Sequence, residues 1–198
     1  MLKIEHLWFS YKKRRIFQSF SLSLEKGELL AVMGPSGCGK STLLNLIAGL
    51  RTPTVGSVQI NTAHIAYVFQ EPRLFPWLTV EQNLAAVLPN PKTGADRIDE
   101  ALALVGLSDA KKLYPKELSG GMKIRVSLAR ALVRGGELFL LDEPFSALDE
   151  ELRAHLVADL RNYFKKNGIS AILVTHQSTD AAGFADRILH MEPLAPQE

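Results

Sequence analysis

Residues 34–42 read Gly34-Pro35-Ser36-Gly37-Cys38-Gly39-Lys40-Ser41-Thr42 and fit the phosphate-binding pattern G-x-x-x-x-G-K-[ST]. The apolar run Leu29–Met33 before them is typical of a buried strand, and apolar residues at helical spacing come after them: Leu43, Leu44, Leu46, Ile47 and Leu50. A glycine-rich turn that only joins a strand to a helix would explain the glycines but not the Lys-Ser pair. The order of strand, loop and helix therefore predicts a binding site for a nucleoside triphosphate.

Each residue type in this loop suits a phosphate ligand. Glycines allow backbone angles that other residues avoid, so successive N–H groups can point at phosphate oxygens, next to the positive end of the following helix. Lys40 supplies a charge for the outer phosphates, and Thr42 lies one step further round the loop. The hydroxyl of Ser41 is placed to be a ligand of the Mg²⁺ that accompanies the nucleotide.

The composition is that of an ordinary globular protein. The chain has 198 residues and is 46% hydrophobic, which is enough for one substantial domain, with or without a smaller lobe. Its 23 basic and 21 acidic side chains leave a formal charge of +2, so no nucleic-acid partner is expected. The single cysteine, Cys38, excludes an internal disulfide.

The sequence also predicts where the protein resides. No apolar stretch approaches the length needed to span a bilayer, and Glu5 and His6 stand where a secretory signal needs an apolar block. We therefore expect a cytoplasmic protein that is able to dock on a membrane protein. The chain ends soon after His190, so we expect no C-terminal regulatory domain.

The first two thirds of the chain predict two kinds of structure. Residues 2–27 alternate in the manner of antiparallel strands, and residues 57–60 and 65–69 predict a second strand pair. Residues of about 71–135 instead carry apolar side chains at helical spacing, with breaks expected at Pro89, Pro91, Gly94 and Pro115. We expect a helical lobe here, inserted into an α/β core.

The last third predicts a return to that core. Residues 138–141 and 169–174 are typical of buried strands, and a helix of about residues 150–166 separates them. Strands that alternate with helices indicate a parallel sheet with its ligand at the carboxyl edge. The expected fold is α/β: a P-loop NTPase core with a mainly parallel sheet, an antiparallel β subdomain and the inserted helical lobe, all in a single domain of residues 1–198.

Two acidic side chains follow the strand at residues 138–141. Because Asp142 and Glu143 close an apolar strand, their carboxylates should emerge beside the phosphate loop. One could hold Mg²⁺, and the other could orient or deprotonate an attacking water. The alternative is that the pair caps the following helix.

A second candidate anion site lies at Ser119-Gly120-Gly121, followed by Met122. Ser119 could cap a helix of about residues 122–133, and the two glycines would leave backbone N–H groups exposed at its positive end. The alternative is an ordinary turn without a ligand.

Six motifs in one order make the chain resemble the ATP-binding subunits of ATP-binding-cassette (ABC) transporters over residues of about 2–190. They are the phosphate loop, Gln70, residues 118–122 (LSGGM), residues 138–144 (LFLLDEP), residues 146–149 (SALD) and His176. Within this family, residues 70–80 and 142–149 most resemble the nitrate, sulfonate and taurine importer group.

The resemblance implies a role for each matching residue. Lys40 and the loop backbone would hold the β- and γ-phosphates of ATP, while Ser41, Gln70 and Asp142 would surround Mg²⁺. Glu143 would be the general base, and His176 would contact the γ-phosphate.

Two further roles depend on the same resemblance. Asp149 would bridge to a partner chain, and Tyr11 would stack on adenine. For Tyr11 the alternative is a strand residue that packs on its neighbours, because Trp8 and Phe9 leave the register open. The family pattern is also altered at two positions: Met122 replaces the commoner glutamine, and Ile124 stands at a position that is usually polar.

The resemblance also implies partners. Each ATP would lie between the phosphate loop of one copy and residues 119–121 of a second copy, which makes the chain a homodimer. An integral membrane permease would bind each copy, and an extracytoplasmic solute-binding protein would take part indirectly. Phe75 and Trp77 could line the permease-docking surface, although packing inside the helical lobe explains Trp77 equally well. The basic residues 12–15 could face acidic lipid or phosphate, but a solvated turn is favoured.

The leading hypothesis is an ATPase that powers import of a small solute of the nitrate, sulfonate or taurine type. A soluble ABC ATPase that acts on nucleic acid or ribosomes would usually carry two cassettes, a long coiled-coil insertion or a strongly basic surface, and none is evident. A P-loop kinase for a small molecule would leave residues 118–122 and the segment after Gln70 without a role.

Overall fold

The computed structural model describes residues 1–12, 14–89 and 94–194, so Lys13 and Pro91 of the sequence predictions lie outside the described residues. The strands are β1 (Leu2–Tyr11), β2 (Arg14–Leu24), β3 (Leu29–Met33), β4 (Val55–Ile60), β5 (Ile65–Val68), β6 (Leu138–Asp142), β7 (Ser170–Val174) and β8 (Arg187–His190). The helices are α1 (Lys40–Ile47), α2 (Val80–Ala85), α3 (Ala95–Leu104), α4 (Gly120–Arg134), α5 (Glu150–Lys166) and α6 (Ser178–Phe184). Within these ranges, no helix combines the length and apolarity that crossing a bilayer requires.

The strands form one antiparallel and one parallel sheet. The antiparallel sheet has the order β2-β1-β4, and the five-stranded sheet has the order β5-β6-β7-β3-β8 with parallel pairing throughout. This arrangement confirms the predicted α/β fold class. The sequence analysis missed α6 and β8, and β8 completes the parallel sheet beside β3.

The prediction that residues 57–60 and 65–69 form a strand pair is wrong. β4 pairs with β1 in the antiparallel sheet, whereas β5 pairs with β6 in the parallel sheet. The cause is burial, because Ala66 and Val68 of β5 pack in one hydrophobic cluster with residues of α2, α3 and α4, while β4 is largely exposed.

The central strands of the parallel sheet are apolar on both faces. Every residue of β6 and β7 is buried, as are residues 29–32 of β3, which is typical of a parallel sheet with helices on both sides. Most odd-numbered residues of these strands pack in one hydrophobic cluster with Phe164 and Phe184: Leu29, Phe139, Leu141, Ala171 and Leu173. Even-numbered residues pack in a second cluster, against Leu43 and Ile47 of α1. The buried sheet thereby holds α1, α5 and α6 in position on its faces.

The helix after the phosphate loop ends earlier than its apolar pattern predicts. Gly49 has φ 70°, and the N–H groups of Gly49 and Leu50 donate to the carbonyl oxygens of Leu46 and Asn45. These are the two hydrogen bonds of a Schellman motif, in which a glycine takes the left-handed conformation. Leu50 lies beyond this end and is exposed, so its inclusion in the buried face of the helix is wrong.

Residues 80–134 contain α2, α3 and α4, with short 3₁₀ turns at Ser108–Ala110 and Pro115–Glu117. The predicted breaks coincide with element ends, because Gly94 is the N-cap of α3 and Pro115 begins a 3₁₀ turn. Helix α2 ends at Ala85, a turn before the apolar pattern does. The delineation of residues 71–135 as a separate lobe remains a prediction.

Trp77 does not pack inside these helices, since it is 70% exposed and its ring lies 5.7 Å from that of Phe75, which is also exposed. Asn83 holds the loop that carries both rings. Its Oδ1 accepts from the Phe75 N–H at 2.8 Å, and its Nδ2 donates to the carbonyl oxygens of Phe75, Leu78 and Thr79. The alternative of internal packing for Trp77 is therefore wrong, and the loop presents two aromatic rings to solvent.

Asp186 joins β3 and α5 at the end of the parallel sheet opposite the phosphate loop. Its carboxylate accepts from the Leu29 N–H at 2.9 Å and from Arg161 at 3.0 Å, and it pairs with Lys165. Burial alone would raise the pKa of Asp186, but the hydrogen bonds from Lys165, from the Leu29 N–H and from Arg161 hold the pKa below its ordinary value. The ionised carboxylate thus stabilises the folded state.

We expect Asp186→Asn to lower the free energy of unfolding at pH 7 by about 1–3 kcal/mol, because hydrogen bonds to a charged acceptor are lost. A group whose pKa is lowered by folding contributes stability above its unfolded value of about 4, and this contribution disappears as the pH falls through the folded-state pKa. The difference from wild type, measured by urea denaturation, should therefore shrink below about pH 4.

Asp159→Asn is the matched control, because Asp159 is an exposed carboxylate on α5, the helix that carries the partners Arg161 and Lys165 of Asp186. It should change the free energy of unfolding by less than about 0.5 kcal/mol at every pH. A deficit of Asp186→Asn that stayed constant from pH 7 to pH 3 would contradict a role for the carboxylate charge.

Candidate nucleotide-binding site

The phosphate loop connects β3, which ends at Met33, to α1, which begins at Lys40. Its glycines are required by space as well as by backbone angle. Gly34 has φ 153°, and a Cβ there would lie 2.3 Å from the Met191 carbonyl oxygen. Gly39 has φ 111°, and a Cβ there would lie 2.6 Å from a methyl group of Ile16. The loop is therefore pressed against β2 and the segment after β8, which fixes its shape.

Lys40 lies within this loop and is only 6% exposed. Its Nζ donates to the carbonyl oxygens of Gly34 at 2.7 Å and Pro35 at 3.0 Å. Among the described residues, no carboxylate forms an ion pair with it. A buried ammonium group that contacts only carbonyl oxygens, with Asp142 acting on it at longer range, fits a phosphate ligand, because burial of a charge is costly.

The N-terminus of α1 also fits an anion. Its N-cap, Gly39, has no side chain to accept from the first N–H groups, and the first turn carries no acidic residue. The first N–H groups of any α-helix lack a partner within the helix, and they carry the positive end of its dipole. The donors of residues 40–42 are thus available to phosphate oxygens.

Ser41 and Asp142 meet at the edge of the parallel sheet. The Ser41 hydroxyl donates to Oδ1 of Asp142 at 3.0 Å, and Asp142 is 5% exposed. Burial raises the pKa of the Asp142 carboxyl; the Ser41 hydrogen bond opposes this effect, and the charge of Glu143 adds to it. A buried carboxylate beside a hydroxyl is a donor set that suits Mg²⁺, and the cation would compensate the buried charge.

Three predicted catalytic side chains also meet here. Gln70 Nε2 donates to Oε2 of Glu143 at 3.4 Å, and Nδ1 of His176 lies 3.6 Å from the same oxygen. Glu143 has φ 49°, a left-handed conformation that is unfavourable for a side chain of its size, and its N–H donates to the Val174 carbonyl oxygen at 3.0 Å. Such strain clusters at functional sites and aims this carboxylate away from the strand.

The alternative of a helix cap for the acidic pair is wrong. The N-cap of α5 is Asp149, whose Oδ1 accepts from the Leu152 N–H at 3.0 Å. Asp142 and Glu143 therefore have no part in capping. One oxygen of Asp149 is used in this cap, and its predicted role across a dimer interface remains a prediction.

A cavity of about 410 Å³ joins the phosphate loop to Tyr11, and Gln70 and Glu143 also line it. Tyr11 is 39% exposed, and its ring contacts that of Phe9 edge-on with centroids 4.9 Å apart. The guanidinium of Arg51 lies 5.6 Å from the Tyr11 ring centroid. The ring thus packs on a neighbour and still faces the cavity, so adenine stacking stays a prediction.

Arg14 lines this cavity and was missed as a site residue. Its Nη2 donates to the Gly37 carbonyl oxygen at 2.9 Å, which ties β2 to the phosphate loop. Of the neighbouring basic residues, Arg15 lies with its guanidinium 5.3 Å from the Trp8 ring centroid. The turn that the sequence favours is present, since Lys12 lies between β1 and β2 and Arg14 is exposed, but both arginine side chains also contact other residues. The run of basic residues at positions 12–15 was the sequence feature that could have indicated a role for Arg14 at this site.

Residues 119–121 are arranged as the sequence predicts but do not line the cavity beside the phosphate loop. Ser119 is the N-cap of α4, which begins at Gly120, and its Oγ accepts from the Met122 N–H at 3.2 Å. A Cβ on Gly121 would lie 2.8 Å from the Ala147 carbonyl oxygen, so this glycine lets the segment after Glu143 pack closely.

The two altered family positions lie on the same helix. Met122 is half-buried and packs against the main hydrophobic cluster, and Ile124 is buried. The Ser119 cap is formed with both residues present.

Comparison with known proteins identifies the same family. The family model described as ABC transporter matches residues 17–146, about two thirds of the chain. The aliphatic sulfonates import ATP-binding protein SsuB of Bacillus subtilis (strain 168) is 49% identical over 174 residues, which cover 83% of this chain and 68% of that protein. The protein of that name from Bacillus anthracis is 42% identical over 195 residues, 94% of this chain and 78% of that protein. SsuB 2 of Pseudomonas syringae pv. tomato is 45% identical over 178 residues, 89% of this chain and 75% of that protein.

Solved structures agree with this assignment. A dimeric bacterial ABC transporter cassette, MJ0796, has a TM-score of 0.90 and 29% identity, covering 97% of this chain and 94% of that one. A dimeric post-hydrolysis state of the same cassette, bound to ADP and Pi, has a TM-score of 0.89 and 29% identity, covering 98% of this chain and 96% of that one.

The comparisons confirm the predicted resemblance to ABC transporter subunits, the predicted ATPase activity and the cofactors ATP and Mg²⁺. They also favour the importer hypothesis over the nucleic-acid and ribosome alternative. The chain belongs to the ABC transporter family, as an ATP-hydrolysing subunit.

Proposed function

We propose that this chain hydrolyses ATP to drive import of an aliphatic sulfonate through a separate membrane permease. The observation that carries the proposal is that one cavity is lined by the phosphate loop, with the unpaired ammonium of Lys40, and by Gln70 and Glu143. The sulfonate part is supported by relatives of 42–49% identity that are named for sulfonate import.

Each predicted site residue has a role in this proposal. Lys40 and the N–H groups of residues 40–42 bind the phosphates, while Ser41, Asp142 and Gln70 hold Mg²⁺. Bound Mg²⁺ neutralises phosphate charge. Glu143 accepts the proton of the attacking water at Oε2, the oxygen that Gln70 and His176 approach. His176, whose side chain is half exposed, contacts the γ-phosphate.

A second copy of the chain completes the site. Residues 119–121 do not line the cavity beside their own phosphate loop, although Ser119 leaves the N–H groups at the start of α4 arranged for an anion. The solved cassettes of similar fold are dimeric, which supports a homodimer with ATP between the two copies. ATP that binds both copies favours the closed dimer by mass action, and hydrolysis removes this stabilisation.

The permease docks on the exposed aromatic loop and the groove beside it. Phe75 and Trp77 project from this loop, and Asn83 fixes its backbone. A groove of about 480 Å³ is lined by Leu50 and Arg73 among others, and Ser41, Gln70 and Asp142 also line it. A partner in the groove is thus in contact with the edge of the nucleotide site. This contact holds the protein on the cytoplasmic face of the membrane, and an extracytoplasmic solute-binding protein delivers the solute to the permease.

The proposal that the solute is an aliphatic sulfonate can be tested by reconstituting the chain with its permease and solute-binding protein in liposomes. We expect aliphatic sulfonates to raise ATP hydrolysis several-fold above the rate without solute, and nitrate at equal concentration to leave it unchanged. Taurine is also a small sulfonate, so its effect on the rate of ATP hydrolysis shows whether the stimulation extends to this sulfonate. Stimulation by nitrate alone would contradict the sulfonate assignment and leave the ATPase assignment intact.

Glu143→Gln should lower the rate of ATP hydrolysis by a factor of about 10² or more, because an amide cannot accept the proton of water at neutral pH. ATP binding should persist, since the phosphate-binding groups are unchanged. We therefore expect an ATP-dependent dimer, measured by light scattering after size-exclusion chromatography with ATP and Mg²⁺.

Glu137→Gln is the matched control, because Glu137 lies exposed just before β6, at the opposite end of that strand. It should hydrolyse ATP at the wild-type rate. A Glu143→Gln protein that stays monomeric at saturating ATP would refute the shared site, and one that retains turnover would refute the role of Glu143.

Trp77→Ala should leave hydrolysis by the isolated chain unchanged and reduce its binding to the permease about tenfold or more, because an exposed aromatic side chain is a frequent anchor at protein interfaces. Binding can be measured by co-purification and by permease-dependent stimulation of hydrolysis. Tyr114→Ala, which removes another exposed aromatic ring from residues 71–135, serves as the control and should retain binding. Equal binding by both variants would exclude Trp77 from the interface.

A further inference from the structure

Arg153 lies in the first turn of α5 and reaches back to the segment before that helix. Its Nη2 donates to the Leu148 carbonyl oxygen at 2.6 Å, and its backbone N–H donates to the Asp149 carbonyl oxygen at 3.0 Å. Its Nε is buried and finds no acceptor among the described residues. The guanidinium is thus held between helix and loop, and is not free in solvent.

The segment held by Arg153, residues 146–149, lies beside two parts of the candidate site. The N–H and the hydroxyl of Ser146 both donate to the Glu143 carbonyl oxygen, at 3.3 and 3.1 Å. The Ala147 carbonyl oxygen packs on Gly121, at a distance that would exclude a Cβ. Movement of this segment would therefore shift both the predicted base and the start of α4.

Asp180 faces Arg153 from α6. Both residues line a cleft of about 500 Å³ between α5 and α6. Burial raises the pKa of the Asp180 carboxyl, and the positive charge of Arg153 lowers it again in part. The two groups thus interact electrostatically, although the described structure has no direct ion pair between them.

The carboxylate of Asp180 holds the backbone on both sides of His176. Its Oδ2 accepts from the Thr175 hydroxyl at 3.3 Å, and the same hydroxyl oxygen accepts from the Gln177 N–H at 3.1 Å. The Thr175 N–H also donates to the Val32 carbonyl oxygen at 3.3 Å, which ties this turn to β3. The orientation of His176 thus depends on a hydroxyl that Asp180 fixes.

We propose that Arg153 is a positioning residue for ATP hydrolysis. Its side chain holds residues 146–149 through the Leu148 carbonyl oxygen, and it holds the turn that carries His176 through Asp180. The inference rests on the proposed function of the site. Arg153 lies outside the nucleotide cavity, so it acts only through these two segments. Because a small misplacement of catalytic groups reduces the rate more than the affinity, its loss should lower kcat and spare the KM for ATP.

The test compares Arg153→Met and Arg153→Lys with Arg161→Met. Arg161 is a matched control, because it lies on the same helix, donates to the Phe184 carbonyl oxygen and pairs with Asp186, but far along α5 from Glu143 and His176. Steady-state ATP hydrolysis gives kcat and KM, and thermal unfolding of each variant reports whether it is folded and how much stability it has lost.

We expect Arg153→Met to lower kcat about tenfold or more with KM within about twofold of wild type. Arg153→Lys keeps the charge and a donor, so it should recover most of the rate. Arg161→Met should lose thermal stability but keep kcat within about twofold of wild type. Asp180→Asn should resemble Arg153→Met, and the double variant should be no slower than either single variant, since both act in one unit.

Wild-type kcat in a folded Arg153→Met protein would overturn the proposal. So would an equal loss of kcat in Arg153→Met and Arg161→Met, which would reduce Arg153 to a stabilising residue. An Arg153→Lys protein as slow as Arg153→Met, while folded, would also count against it. Absence of Mg²⁺-dependent hydrolysis in wild type would refute the proposed function itself, and with it the inference.

Discussion

The buried parallel sheet is the constraint on which the candidate site depends. Its central strands are apolar on both faces, so they are fixed by helices on either side and cannot shift in register without exposing hydrophobic surface. Each strand changes from apolar to polar at its carboxyl end. The phosphate loop follows β3, Asp142 ends β6, and Thr175 with His176 follow β7. Because neighbouring strands are parallel, these groups meet at the carboxyl edge of the sheet.

Electrostatics at that edge favours binding of a charged ligand. Lys40 is buried among carbonyl oxygens, and Asp142 is buried with a raised pKa, so each carries a charge or a potential charge that its surroundings solvate poorly. In the proposed function, a triphosphate with Mg²⁺ would supply a counter-charge to both. The same ligand therefore compensates two unfavourable burials, and the fold keeps these groups in place because the sheet beneath them is already stable.

Local sequence patterns predicted the elements that carry this edge. The strand Leu29–Met33 and the helix Glu150–Lys166 have the bounds that their apolar patterns predict, because burial of one face determines both. The placement of β4 and β5 in different sheets could not be predicted, since it depends on which surface the lobe helices cover. Helix α6 and strand β8 could not be predicted either. Helix α6 is short and consists mostly of small or polar residues, and β8 is held by backbone pairing with β3.

The residues of the candidate site also differ in whether the sequence could predict them. Glu143 could be predicted because it directly follows an apolar strand, whereas the role of His176 was predicted only from the resemblance to the ABC transporter family. Arg153 could not be predicted, since its contact depends on a carbonyl group that the folded backbone presents, and Arg14 was indicated only by the basic run that contains it. These two side chains tie peripheral elements to the loops at the sheet edge. The edge supplies the reacting groups, and long side chains from outside it determine how tightly the loops that carry them are held relative to one another.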